Sequence, residues 1–412
     1  MACGWRAVRG RGRYNGSHDC GHRPKTEDPA IADPAGTDAA SDRRSALSVR
    51  PLFAVVLAAG QGTRMRSTRP KPLHMLCGRP LVRYVLDAVA GSETDRAVVV
   101  VGYGADMVVK TLQEDPGSVP LEFVEQREQR GTGDAVAVGL TGLPDDLGLD
   151  ADDGDVVVLP GDTPLVRPET IEALVREHRL SGAACTLLTA RLDDPTGYGR
   201  VVRDKDGRVR RIVEHRDADA SERAIDEINT SIYVFRRGLL APALRRLTPE
   251  NSQGELYVTD VVEVLAEAGH PVVSLVADDA IETQGVNDRA QLAAAEAELR
   301  RRTNARWMRE GVGMVDPDAT YVDTTVVLAP DVVLFPGTVL QGATVVGPGT
   351  EIGPATRLSD TRVGARAKVN ETVATLAEIG DDAVVGPYAV LEPGARVGDG
   401  VRTGPFYTGS TA

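Results

Sequence analysis

Three stretches of this chain carry residue types that can handle phosphates and sugars. The first is Leu57-Ala58-Ala59-Gly60-Gln61-Gly62-Thr63-Arg64-Met65, which directly follows an apolar run. Its glycines let the backbone approach a ligand closely, and loop N–H groups can hold phosphate oxygens. Arg64 supplies a forked donor and Lys71 a mobile ammonium, suited to two different phosphates. From Arg43 to Leu86 there are nine Lys or Arg and no carboxylate, inside a chain of net charge −13. That contrast favours phosphate over the plainer alternative, a tight turn with solvated arginines. A dinucleotide fingerprint would need a third glycine where Met65 stands, and a Walker loop would need G-K-[S/T]. Neither pattern is met.

The second stretch is Val156-Val157-Val158-Leu159-Pro160-Gly161-Asp162, an apolar run ending in a carboxylate. Ligands of open α/β sheets bind beyond the carboxyl ends of strands, so Asp162 is placed to hold Mg²⁺. An aspartate capping a turn is the plainer reading. The third comprises the turn Asp194–Arg200 with Gly199, then Glu214 and Asn229, whose side chains could hydrogen-bond sugar hydroxyls or an amide. Taken singly, these are ordinary surface-loop residues.

These groups need a scaffold, and the pattern around them supplies one. Apolar runs at 52–59, 97–101, 121–124, 156–159, 184–189, 232–235 and 272–276 read as buried strands. Helical patterns lie between them at 81–90, 105–113, 168–179 and 257–268. Such alternation implies an α/β domain with a mostly parallel sheet covered on both faces. It fills 51–287. Residues 288–311, without Gly or Pro up to Glu310, read as one helix acting as a spacer.

After the helix the period changes. Leu328, Leu334, Leu340, Val346, Ile352 and Leu358 fall six residues apart, and the period resumes at Ile379, Val385, Leu391 and Val397 after an irregularity near 363–376. One apolar residue in six, with small residues between, is the signature of a parallel β-helix. It covers 312–412 in about four coils, a prism of roughly 20 Å at strand spacing. So short a prism has little core of its own, and self-association is expected.

Composition sets the outer limits. The 412 residues allow two to three domains, and the acidic balance argues against nucleic-acid or anionic-membrane binding. No apolar run is long enough for a transmembrane helix, and residues 1–50 lack a secretory h-region, so a cytoplasmic protein is expected. Residues 1–50 read as a disordered extension. The cysteines Cys3, Cys20, Cys77 and Cys185 are scattered, which disfavours disulfides and zinc, although Cys20 lies between His18 and His22. None of the six histidines falls in 312–412, where an acyltransferase would need a general base.

At this point the chain resembles the bifunctional N-acetylglucosamine-1-phosphate uridylyltransferase/glucosamine-1-phosphate acetyltransferase family over about 52–405. The motifs come in that family's order: LAAGQGTRM with RPKPLH (57–74), Q-x-x-x-x-GTGDA (126–135), PGDTPL (160–165), DPTGYGRVVR (194–203), IVEH (212–215), EINTSIYVF (227–235), QGELYVTD (253–260) and GVNDR (285–289). The resemblance implies a Rossmann-like nucleotidyltransferase domain, a linker helix and a left-handed β-helix. It implies that Leu57, Ala58, Ala59, Gly60, Arg64 and Lys71 line the nucleotide and its phosphates. Gln126, Gly131 and Thr132 would read uracil. Pro160, Gly161, Asp162, Gly199, Glu214 and Asn229 would border ribose, metal and sugar, Pro160 chiefly through its backbone. Asp162 and Asn287 would be the Mg²⁺ ligands, and the assembly a trimer.

Two departures narrow this. The family's β-helix runs on for further coils bearing acetyl-transfer residues, and its YAxLRPG arginine is replaced here by Glu392. Residues 321–412 carry six Lys or Arg against ten Asp or Glu, a poor field for coenzyme A. The expectation is therefore Mg²⁺-dependent transfer of uridylyl from UTP to N-acetylglucosamine-1-phosphate, in the supply of cell-wall precursors, without acetyl transfer. The alternatives are a nucleotidylyltransferase using UTP or dTTP with another sugar-1-phosphate, or a non-catalytic nucleotide-sugar-binding subunit.

Overall fold

The computed structural model describes residues 50–144 and 154–409. The N-terminal extension, with Cys3, Cys20, His18 and His22, lies outside the described residues. The first half of the chain forms a nine-stranded sheet: β1 (Leu52–Ala58), β2 (Arg96–Val101), β3 (Leu121–Glu125), β4 (Asp155–Pro160), β5 (Cys185–Arg191), β6 (Arg200–Arg203), β7 (Val209–Val213), β8 (Glu227–Arg236) and β9 (Val272–Val276). The main path runs β9-β5-β8-β4-β1-β2-β3, with β6 on β8 and β7 on β6. Along that path only β8 runs against the others. Its N-terminal end therefore reaches the edge where the parallel strands finish.

Both sheet faces are covered, which is why the strands read as continuous apolar runs. Ala54 and Val56 of β1 pack with Val85, Leu86, Ile171 and Leu174 from helices Leu81–Gly91 and Pro168–Ser181. Phe53 and Val55 turn to the other face, toward Val136, Leu240 and Val261. Two helices of that second cover, Thr132–Leu140 and Arg237–Leu244, stood out less in the sequence. The first is rich in glycine and small residues and the second carries Pro242, so neither shows a strong amphipathic stripe.

The helix Arg289–Arg309 joins the two halves more firmly than a spacer would. Ala295, Leu292 and Leu299 pack on Leu76, Leu81, Leu165 and Val286 of the first domain. At its far end Trp307 enters the β-helix core, and Asn304 Nδ2 donates to the carbonyls of Pro317 and Thr320 at 2.9 Å each. The domains also meet directly, since Thr324 N–H donates to the Cys77 carbonyl at 3.1 Å and Tyr84 Oη lies 2.9 Å from Thr324 Oγ1.

Residues from Gly313 on form short parallel strands in three sheets of five, six and five, a left-handed β-helix. The six-stranded face makes it longer than the four coils expected. The irregularity is two shortened coils: paired positions run Val327, Val345, Arg362, Glu378 and Arg396, so spacing drops from 18 to 17 to 16 before returning to 18. The inward ladder passes through unbroken as Leu358, Val363, Val369, Ala374 and Ile379, all buried. Threonines fill several corners. Thr338, Thr344, Thr350, Thr356, Thr361 and Thr372 are fully buried, and each hydroxyl donates to a backbone carbonyl.

Candidate active site

The chain leaves β1 toward β2 and β3 on one side, then returns to place β4 on the other. This reversal of strand order opens a crevice beyond the carboxyl ends of β1 and β4, where open α/β sheets hold ligands. A cleft of about 720 Å³ lies there. Leu57, Ala58, Ala59 and Gly60 from β1 and its loop face Pro160, Gly161 and Asp162 from β4. The Gly161 N–H donates to the Leu57 carbonyl at 2.8 Å, fixing the two strand ends together.

Four polar side chains converge on one edge of this cleft. Lys71 Nζ forms an ion pair with Asp162 and donates to Asn287 Oδ1 at 2.8 Å, and Arg64 Nη2 donates to the same oxygen at 2.8 Å. The Lys71 and Asp162 side chains are 14% and 21% exposed, shielded yet reachable. Gly62 makes the approach possible: it sits at φ 64°, and a Cβ there would lie 2.7 Å from Lys71 Cβ. Asp162 is anchored through its carbonyl, which accepts from Val286 N–H at 2.8 Å. That bond also delivers the loop bearing Asn287, a residue remote in sequence. The carboxylate of Asp162 and the amide oxygen of Asn287 thus meet on a single ammonium. Two hard oxygen donors already converging on one cation fit Mg²⁺, which takes few protein carboxylates and fills its shell with phosphate and water. Among the described residues no group of three or more His, Cys, Asp or Glu is arranged to hold a metal.

The next wall comes from Gln126, Gly131 and Thr132. Gln126 Nε2 donates to Asp134 at 2.8 Å and to the Gly131 carbonyl at 3.2 Å. Its Oε1 is left to accept from a ligand. Gly131 has φ 112°, and a Cβ there would lie 2.5 Å from the Leu256 carbonyl oxygen. This close approach brings in the segment 253–259, where Val258 N–H donates to Thr132 Oγ1 at 3.1 Å.

The opposite end is built from Gly197, Glu214, His215, Ser231, Tyr257 and Thr259. Burial raises the Glu214 carboxyl above the usual range, a shift that Thr259 partly offsets and Asp260 and Asp217 reinforce. Gly199 lies behind this wall: a Cβ there would sit 3.4 Å from Glu214 Oε1 and 3.5 Å from Asn229 Cβ. Asn229 lies at the N-terminal end of β8. It is 4% exposed, two residues before Ser231 of the cleft lining, and part of its amide is engaged inside β8. Asn229 Oδ1 accepts from Ser231 N–H at 3.3 Å and Nδ2 donates to Tyr233 Oη at 2.8 Å. Gly199 and Asn287 each touch a residue that lines the cleft, Glu214 and Lys71 respectively. The sequence reading also passed over Gln129, which holds the Ala59 carbonyl at 2.9 Å, and Tyr257 and Thr259. Their signal was present in the QGELYVTD stretch, but only folding brings that loop to the cleft.

Comparison with known proteins agrees with this architecture. The nucleotidyl transferase family matches residues 53–311. Proteins named bifunctional protein GlmU align further. That of Thermobifida fusca is 49% identical over 80% of this chain and 68% of its own length. That of Streptomyces avermitilis is 48% identical over 81% of this chain and 68% of its own. The Shouchella clausii protein is 46% identical over 68% of this chain, which there spans 59% of the relative. The chain belongs to the nucleotidyl transferase family and, within it, to the group that the GlmU proteins represent.

Proposed function

We propose that this chain transfers uridylyl from UTP to N-acetylglucosamine-1-phosphate, giving UDP-N-acetylglucosamine and pyrophosphate. The observation that carries the reading is the convergence of Arg64, Lys71, Asp162 and Asn287 at the strand-order reversal, beside a wall whose Gln126 presents an acceptor. Such an acceptor suits the N3–H of uracil or thymine and disfavours cytosine, whose N3 has no proton. The sugar-phosphate oxygen attacks the α-phosphorus in line; the bond to the β-phosphate oxygen breaks, and pyrophosphate leaves with the electron pair. This chemistry asks for positioning and charge neutralisation and needs no protein nucleophile. Arg64 and Lys71 supply two cations for the phosphates, and the β1 loop supplies backbone donors. Asp162 and Asn287 would hold Mg²⁺, which when bound neutralises charge developing on the phosphate oxygens. Glu214 and its neighbours border the sugar.

Acetyl transfer is not assigned to residues 312–412, which hold no histidine, carry Glu392 and are net acidic. Assembly as a trimer is part of the same reading. It is supported by outward apolar residues on the six-stranded face, Val373 beside Val390, and by the exposed stacked pair Tyr388 and Phe406. The function is tested by pyrophosphate release over a matrix of UTP and dTTP against several sugar-1-phosphates. UTP with N-acetylglucosamine-1-phosphate is expected to be the best pair, and a better pair elsewhere in the matrix would replace it.

A further inference from the structure

Two consecutive backbone N–H groups, those of Val286 and Asn287, are gripped by different elements. Val286 N–H donates to the Asp162 carbonyl at 2.8 Å, in the turn after β4. Asn287 N–H donates to Gln291 Oε1 at 2.7 Å, in the first turn of the helix Arg289–Arg309. The same turn reaches the β1 loop, where Arg289 Nε donates to the Met65 carbonyl at 3.2 Å, one residue past Arg64.

The Gln291 bond is unusual for its position. Asp288 is the N-cap of the helix, and its carboxylate accepts the Gln291 N–H at 2.8 Å. In a capping box, the side chain at the Gln291 position returns to the N–H of the cap residue itself. Here it passes over Asp288 and takes the N–H of the residue before it. What the bond fixes is therefore the Asn287 backbone. The Asn287 side chain is set from there: Oδ1 accepts from Lys71 and Arg64, and Nδ2 faces the Gly285 carbonyl at 3.5 Å. Two cationic donors settle which end of the amide is oxygen, and that oxygen points at the ammonium that Asp162 also holds.

We infer that Gln291 is a positioning residue: its side-chain oxygen holds the Asn287 backbone so that the amide oxygen stays turned to the Asp162 site, where the two share a divalent cation. The inference rests on the reading of Asp162 and Asn287 as Mg²⁺ ligands given above. Groups that orient a metal's ligands contribute roughly 10- to 100-fold to its affinity. Gln291 itself is exposed, so replacing it opens no cavity.

The test titrates Mn²⁺ into the full chain saturated with UDP-N-acetylglucosamine, read by the loss of the free ion's electron paramagnetic resonance signal. Wild type is compared with Gln291→Met, which keeps length and helix propensity but lacks a comparable acceptor, and with Gln291→Glu, which keeps an acceptor oxygen. About 0.5 M KCl screens the long-range pull of the added carboxylate. Gln291→Met should bind Mn²⁺ about 10-fold more weakly, and Gln291→Glu within about threefold of wild type. The Mg²⁺ concentration that gives half-maximal pyrophosphate release should rise in parallel in Gln291→Met. If that variant binds Mn²⁺ as wild type does, the side chain only caps the helix, whatever the melting temperature, and the inference falls alone. If Gln291→Glu is as weak as Gln291→Met, the acceptor oxygen is not what matters, and the inference falls again. Asp162→Asn tests the premise: Mn²⁺ binding that it leaves unchanged, or a wild type that binds no Mn²⁺, overturns the metal site and this inference with it.

Discussion

At the level of single residues, Lys71 does two jobs: it neutralises Asp162 and occupies the point where two oxygens meet. A cation arriving with nucleotide would take over that point and release the ammonium toward the phosphates. Asp162→Asn should therefore lower kcat by roughly 10²-fold or more at saturating Mg²⁺. Near-normal turnover would overturn the proposal that Asp162 holds a metal ion. Lys71→Ala and Arg64→Ala should lower kcat/KM while the melting temperature stays close to wild type, because neither side chain fills a core. A variant that keeps full kcat/KM has a side chain that does not face the phosphates. Gly131 offers a different kind of test. At φ 112°, with a Cβ predicted 2.5 Å from the Leu256 carbonyl, Gly131→Ala must push the 253–259 segment away. It should cost about 1–3 kcal/mol in stability and raise KM for UTP, measured by denaturation and by initial rates. Unchanged values in both would show that the segment yields without consequence.

Among the elements, the strands of the sheet were legible because burial on both faces writes them as uninterrupted apolar runs, as in Val98–Val101 and Val156–Leu159. The direction of β8 was not, since a run such as Ile232–Phe235 looks the same in either orientation. That direction is what brings the segment Asn229–Ser231 to the end of the sheet where the cleft lies. The β-helix period was legible while corners kept six residues and was lost where they dropped to five, although Val363, Val369 and Ala374 continue the ladder. Arg64, Lys71 and Asp162 were readable from charge contrast and strand ends, whereas Asn287 and Tyr257 come from loops that only tertiary contacts deliver. The helix Asp260–Glu267, which follows Tyr257, carries a pH signature. Burial, with Glu263 and Asp217, pushes the Asp260 carboxyl up to about 6. The unfolded group ionises near ~4, so native stability falls as pH rises from ~4 to the folded value and stays lower above it. Asp260→Asn should thus melt higher than wild type at pH 7.5 and equally at pH 4. A difference that does not depend on pH would contradict this.

For the molecule as a whole, the long helix and the Thr324–Cys77 contact tie the catalytic domain to the β-helix, so the two should move as one body. Light scattering at micromolar concentration should report a trimer, and a monomer would mean that the apolar outer face serves another purpose. Incubation of the chain with acetyl-CoA and glucosamine-1-phosphate should release no thiol above background. Without a base, that amine stays largely protonated near neutral pH. Thiol release that depends on residues 312–412 would contradict the assignment. The central claim is that the cleft between β1 and β4 moves the α-phosphate of UTP onto a sugar phosphate. It is tested most directly by supplying UTP labelled at the α-phosphorus, with N-acetylglucosamine-1-phosphate and Mg²⁺, and following the label. The account predicts that all transferred label appears in UDP-N-acetylglucosamine, that unlabelled pyrophosphate forms in equal amount, and that Asp162→Asn slows both by roughly 10²-fold or more. Label that remains in UTP, or leaves as free UMP, would contradict it.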